Sequence, residues 1–76
     1  MKIEILGNGY SRGNELYANV LKAIKHSRKE AEIFKEMDLR KIADYGVLSL
    51  PALVIDGVLK VSGKVPKVER IIDWIK

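Results

Sequence analysis

Leu50-Pro51-Ala52-Leu53-Val54-Ile55-Asp56-Gly57-Val58-Leu59-Lys60-Val61 is the stretch whose reading decides the fold. Leu50 to Ile55 is an apolar run entered through a proline, which reads as a buried strand. Asp56-Gly57 is a hairpin signal, because a two-residue primed turn needs positive φ and Asp-Gly tolerates it. Val58 to Val61 is then the returning antiparallel strand.

Upstream of the hairpin, Asp38 suits the N-cap of a short helix from Leu39 to about Tyr45, with Leu39, Ile42 and Ala43 inward and Gly46 as its stop. Ala31-Glu32-Ile33-Phe34-Lys35-Glu36-Met37 contains strong strand formers and is the second strand. Before it, Gly13 to Ser27 reads as a long helix. Leu16, Val20 and Ile24 recur at i, i+4 and i+8, Tyr17 and Leu21 widen the stripe, and Asn14 or Ser11 caps it. Lys2-Ile3-Glu4-Ile5-Leu6 alternates polar and apolar up to Gly7 and is the first strand. Downstream, Ser62 to Pro66 is a loop, with Pro66 at or near the first turn of a helix from Lys67 to Lys76. That helix aligns Val68, Ile71, Ile72 and Ile75, with Trp74 off the stripe as a half-buried core edge.

The order is therefore β-α-β-α-β-β-α, an α/β domain. Its first β-α-β unit is a right-handed crossover that pairs two parallel strands, and the hairpin adds two antiparallel ones. The expected architecture is a four-stranded mixed sheet covered by three helices.

Seventy-six residues, 47% of them hydrophobic and 32% charged, form one domain, 1–76. A core this small leaves a stability reserve of only a few kcal/mol. The chain has no cysteine, so neither a disulfide nor a Cys-based metal site supports it. The N-terminus is too short and too charged for a signal peptide, and no apolar run reaches membrane-spanning length, so a cytoplasmic location and no membrane are expected. The net charge is +4. The densest basic patch, Lys22, Lys25, Arg28 and Lys29 with His26 among them, reads as the solvated end of a helix whose cations suit its negative dipole end. No aromatic stacking pattern accompanies it, and nucleic acid is not the expected partner.

Leu6-Gly7-Asn8-Gly9-Tyr10-Ser11-Arg12-Gly13-Asn14 joins the first strand to the first helix. A loop in this place faces the free N–H groups and positive dipole end of a helix. Gly7-x-Gly9 at the end of strand one, Tyr45-Gly46-Val47 before Leu48-Ser49-Leu50-Pro51-Ala52-Leu53-Val54, the Ile55-Asp56-Gly57 turn and Val61-Ser62-Gly63-Lys64-Val65-Pro66 together resemble one family. It is the small, glutaredoxin-sized thioredoxin-like "redox-active disulfide" proteins of archaea and bacteria, and the likeness spans essentially the whole chain. That resemblance implies the thioredoxin or glutaredoxin fold. Members carry Cys-x-x-Cys directly after the Gly-x-Gly; here those places are Tyr10 and Gly13, with Ser11-Arg12 between. Thiol–disulfide exchange needs a thiolate and a second sulfur to resolve the mixed disulfide, and a serine hydroxyl supplies neither. The resemblance thus brings a fold without its activity.

It also implies that Pro51 is the family's cis-proline, facing the loop before helix one. In that fold the proline turns the backbone of the preceding residue, here Leu50, outward to pair with an extended peptide or with glutathione. The expected binding surface is Tyr10, Ser11, Arg12, Gly13, Asn14, Leu50 and Pro51, with Tyr10 exposed as an anchor. Its ligand would be a peptide, a partner protein or a small anion held by the helix end and Arg12.

Other constellations carry less. Gly7 to Gly13 approximates a dinucleotide fingerprint, but Arg12 stands where the third glycine belongs and the hairpin replaces the next crossover unit. The lone His26 without cysteine or paired carboxylates makes no metal or catalytic site, and no cofactor is expected. Tyr17 is expected against the sheet and Tyr45 over the end of helix two. Three readings follow: a redox-inactive binding module; an accessory component of thiol chemistry that binds a thiol partner or glutathione without being the nucleophile; and a structural or regulatory subunit whose interface is Trp74 and the last helix.

Overall fold

The computed structural model describes residues 1–7 and 11–76, residue 11 by its backbone alone. The elements are β1 (Lys2–Leu6), α1 (Ser11–Ser27), β2 (Glu32–Glu36), α2 (Leu39–Asp44), β3 (Ala52–Ile55), β4 (Val58–Ser62) and α3 (Val68–Ile75). They build one four-stranded sheet in the order β2-β1-β3-β4. β1 pairs β2 in parallel, while β3 runs antiparallel to both β1 and β4. The expected element order and mixed sheet are present.

Side-chain alternation divides the core between two faces. On one face Ile3, Ile5, Leu53 and Ile55 meet Leu16, Val20 and Ala23 of α1 and Ile71 and Ile75 of α3. On the other, Leu6, Ala52 and Val54 meet Ile42 of α2. β3 lies between β1 and β4 with helices on both sides, so all four of its residues are buried and its sequence shows no polar alternation.

The Asp56-Gly57 turn forms as read, with Asp56 at φ 49° and Gly57 also at positive φ. Two pairs beyond the turn the hairpin departs from simple alternation. Val54 opposes Leu59 and Leu53 opposes Val61, so Lys60 is the extra residue of a β-bulge. Without it Leu59 and Val61 would share a face; with it Leu59 joins the α2 side and Val61 the α1/α3 side.

Helix α1 begins at Ser11, two residues before the expected Gly13. Its buried stripe includes Ala23, whereas Leu21, expected to widen that stripe, is exposed. The helix ends in a reverse turn with Arg28 at φ 54°. The Arg28 N–H donates to the Lys25 carbonyl at 3.4 Å and the Lys29 N–H to Ile24 at 3.3 Å, the pair of bonds that closes a Schellman cap. Lys25 and His26 occupy the last turn, in keeping with the dipole reading of the basic patch.

In α2, the Asp38 carboxylate accepts from the Arg40 N–H at 2.9 Å, as expected of an N-cap. Only Ile42 of this helix is buried; Leu39 and Ala43, expected inward, are exposed. A helix of six residues touches the sheet once per turn, and one turn is nearly all it has. Strand β3 is shorter than the apolar run, starting at Ala52 after Pro51. Helix α3 starts at Val68 with Lys67 as its N-cap, which places Pro66 just outside the first turn. Asn19 of α1 donates its side-chain amide to the Pro66 carbonyl at 3.0 Å and fixes the entry to α3.

Candidate functional site

The antiparallel register of β1 with β3 sets Leu6 opposite Ala52. The residues just beyond, Gly7 and Pro51, therefore meet at one end of the sheet. The Gly7 N–H donates to the Glu36 carbonyl at 2.9 Å, continuing the β1–β2 ladder by one step. Gly7 has φ 69°, and a Cβ there would lie 2.6 Å from Leu50 Cδ1. Leu50 thus lies over the end of β1; a side chain at position 7 would have to displace the Leu50 side chain and would hold a positive φ that L residues rarely adopt.

The Leu50–Pro51 peptide bond is cis. Pro51 is buried, while Leu50 keeps 39% of its surface and Leu48 98%. The Pro51 carbonyl accepts from the Gly63 N–H at 2.8 Å, and the Gly63 carbonyl accepts from Arg12 Nη2 at 3.0 Å. A chain of two hydrogen bonds thus joins the first turn of α1 to the proline through the loop after β4. Of the expected site residues, Arg12, Leu50 and Pro51 are brought together in this way, and Gly13 and Asn14 follow Arg12 in the same turn, buried and exposed respectively. Tyr10 and the side chain of Ser11 lie outside the described residues. Arg12 spends one donor on Gly63, so its guanidinium is oriented across the loop rather than standing clear of it.

Beside this junction, more apolar side chains stand exposed. Met37 and Leu39 follow β2, whose last residue Glu36 pairs with Leu6, and both are more than half exposed. Leu39 is an α2 residue that the stripe reading had turned inward.

One residue missed by sequence reasoning, Glu4, is buried on the α2 face and is paired with Tyr45. Glu4 is 8% exposed on the α2 face of β1. Its Oε1 accepts the Tyr45 hydroxyl proton at 2.8 Å and lies 3.7 Å from Lys2 Nζ. Donating to that carboxylate, loss of water, and the nearby charges of Glu4 and Glu36 together raise the Tyr45 pKa above its ordinary value. Tyr45 does cover the end of α2, as its C-cap. The missed signal was that a strand paired on both sides in an α/β sheet is covered on both faces, so an outward residue of its alternation need not be wet.

Tyr17 and Trp74 both pack at the edge of the core. Tyr17 packs on the α1 face of the sheet with Lys35 Nζ 4.2 Å from its ring centre. Trp74 is half-buried at the core edge, under the Arg70 guanidinium at 5.9 Å. Among the described residues no group of three or more His, Asp or Glu is arranged to hold a metal, and no helix is long and apolar enough to cross a membrane.

A thioredoxin domain family model matches residues 1–76, the whole of the chain given. The chain is 38% identical over 74 residues to a thioredoxin of Methanocaldococcus jannaschii, covering 97% of this chain and 85% of that protein. It is 37% identical over 71 residues to a thioredoxin of Methanothermobacter thermautotrophicus, covering 93% and 92% respectively.

Proposed function

The chain belongs to the thioredoxin family yet has no cysteine, and from that premise we propose that it is a redox-inactive binding module. The binding surface is the family's own face: Arg12, Gly13 and Asn14 at the start of α1, with Tyr10 and Ser11 before them, and Leu50 and Pro51 across from them. The observation that carries this reading is the junction at the end of the sheet. Leu50 lies over Gly7, and Arg12 is tied through Gly63 to Pro51. These contacts support a binding face at the place where the sulfur is missing.

The ligand best suited to it is an extended peptide with an apolar side chain. The exposed Leu48, Leu50, Met37 and Leu39 supply apolar contact, and backbone at Leu50 supplies strand-type pairing. A small anion is less well served, because Arg12 already serves the Gly63 carbonyl. An accessory role in thiol chemistry would use the same face, with the sulfur brought by the partner.

Calorimetric titration of glutathione and of an extended apolar peptide into the protein and its Leu50→Ala variant tests the reading. Binding of at least one of the two, weakened about tenfold (roughly 1.4 kcal/mol) by the substitution, is expected. Equal affinity for both proteins, or no binding of either ligand, contradicts it.

A further inference from the structure

A groove of about 630 Å³ lies between β4 and the start of α3 and shares neither Leu50 nor Pro51. Its rim carries Lys60, Lys64, Lys67 and Arg70. Among the described residues none of these four is in an ion pair. Of the two carboxylates on the same rim, Asp73 is engaged by Lys76 at 3.7 Å, which leaves Glu69 against four cations. The floor is apolar, made by the half-buried Val61, Val65 and Trp74, with Arg70 lying over the indole ring.

The wall between β4 and α3 is held in place: Gly63 bonds back to Pro51, and Pro66 accepts from Asn19. The groove is therefore built before any ligand arrives. β4 is an outer strand, and a lysine at its bulge is a usual guard against edge pairing. That role accounts for Lys60 alone; Lys64, Lys67 and Arg70 stand on the loop and helix opposite, where there is no strand edge to guard.

We propose that this groove docks an acidic extended peptide segment of a partner protein, with an apolar side chain on Trp74 and Val65 and its carboxylates on Lys64, Lys67 and Arg70. Charge complementarity selects an acidic occupant. A single aromatic platform and a carboxylate at Glu69 favour a peptide over a nucleic-acid strand, which draws on successive aromatic platforms along a uniformly basic track.

Trp74 is the only tryptophan, so its emission reports on the groove alone. The test titrates the protein with a synthetic peptide alternating Glu with Leu and Phe, with the same peptide carrying Gln for Glu, and with a single-stranded oligonucleotide. A saturable change in Trp74 emission with the acidic peptide is expected, at least tenfold weaker for the Gln peptide and weakened by added salt. The doubly substituted Lys64→Glu, Lys67→Glu protein should lose binding by a similar factor. Both side chains are exposed, and far-UV circular dichroism checks that the variant folds. Amide shifts of the native protein should move at 60–70. No emission change at millimolar peptide, equal binding of the Gln peptide, unchanged binding by the doubly substituted protein, or tighter binding of the oligonucleotide overturns the proposal.

Discussion

Tyr45 and Glu4 stand 41 positions apart and share one proton-mediated bond at 2.8 Å. Burial makes it matter: an 8% exposed carboxylate that lost this donor would keep only Lys2 at 3.7 Å. Tyr45→Phe should therefore lower stability by about 1–2 kcal/mol near neutral pH, measured by urea denaturation. Because the folded-state pKa of Tyr45 is raised, the neutral phenol is the form the fold prefers. That contribution is complete below the ordinary tyrosine value of about 10, and is lost as pH climbs through the higher folded-state value. The native protein should thus lose stability over that alkaline range more steeply than Tyr45→Phe does. Equal slopes would contradict the assignment. The sequence held no hint of this pair. Lys2-Ile3-Glu4-Ile5 alternates as though one face were wet, and only the placement of α2 dries it. The bond from Arg12 to Gly63 was equally hidden, since it joins positions 51 apart that only the finished sheet brings together.

At the scale of elements, local signals were legible wherever a single backbone requirement selects few residue types. Asp38 caps α2 and Asp56-Gly57 turns the hairpin because both conformations are chemically narrow. The bulge at Lys60 left no such mark: one added residue changes no composition, although it decides which face Val61 joins. Inward residues of α2 were misread because a stripe pattern presumes several turns. The end of α1 has a usual geometry with an unusual residue, a Schellman cap whose left-handed position is held by Arg28. A non-glycine residue there costs about 1–2 kcal/mol, while glycine would forfeit about 0.5–1 kcal/mol more chain entropy on folding. Arg28→Gly is therefore expected to stabilise the protein by a few tenths to about 1 kcal/mol, seen as a raised thermal midpoint. A fall in the midpoint would mean that the Arg28 side chain holds contacts that outweigh its backbone strain.

For the whole molecule, the fold was legible because element order, hairpin chemistry and motif resemblance all agreed, and the sheet order β2-β1-β3-β4 bears them out. The absence of cysteine was equally plain, and the chain belongs to the family without one. If the fold still presents the family's two sulfur positions, Tyr10→Cys with Gly13→Cys should gain a reducible disulfide, while the native chain gives no reduction of insulin. That idea is falsified if the folded double variant will not pair its thiols under mild oxidation. The central claim, a binding face kept after its sulfur chemistry is gone, is tested most directly by mapping amide shifts as glutathione and an extended apolar peptide are titrated in. Shifts concentrated at Arg12, Gly13, Asn14 and Leu50, saturating with at least one of the two, are predicted. Saturable shifts confined to α3 and β4, or none anywhere, would contradict it.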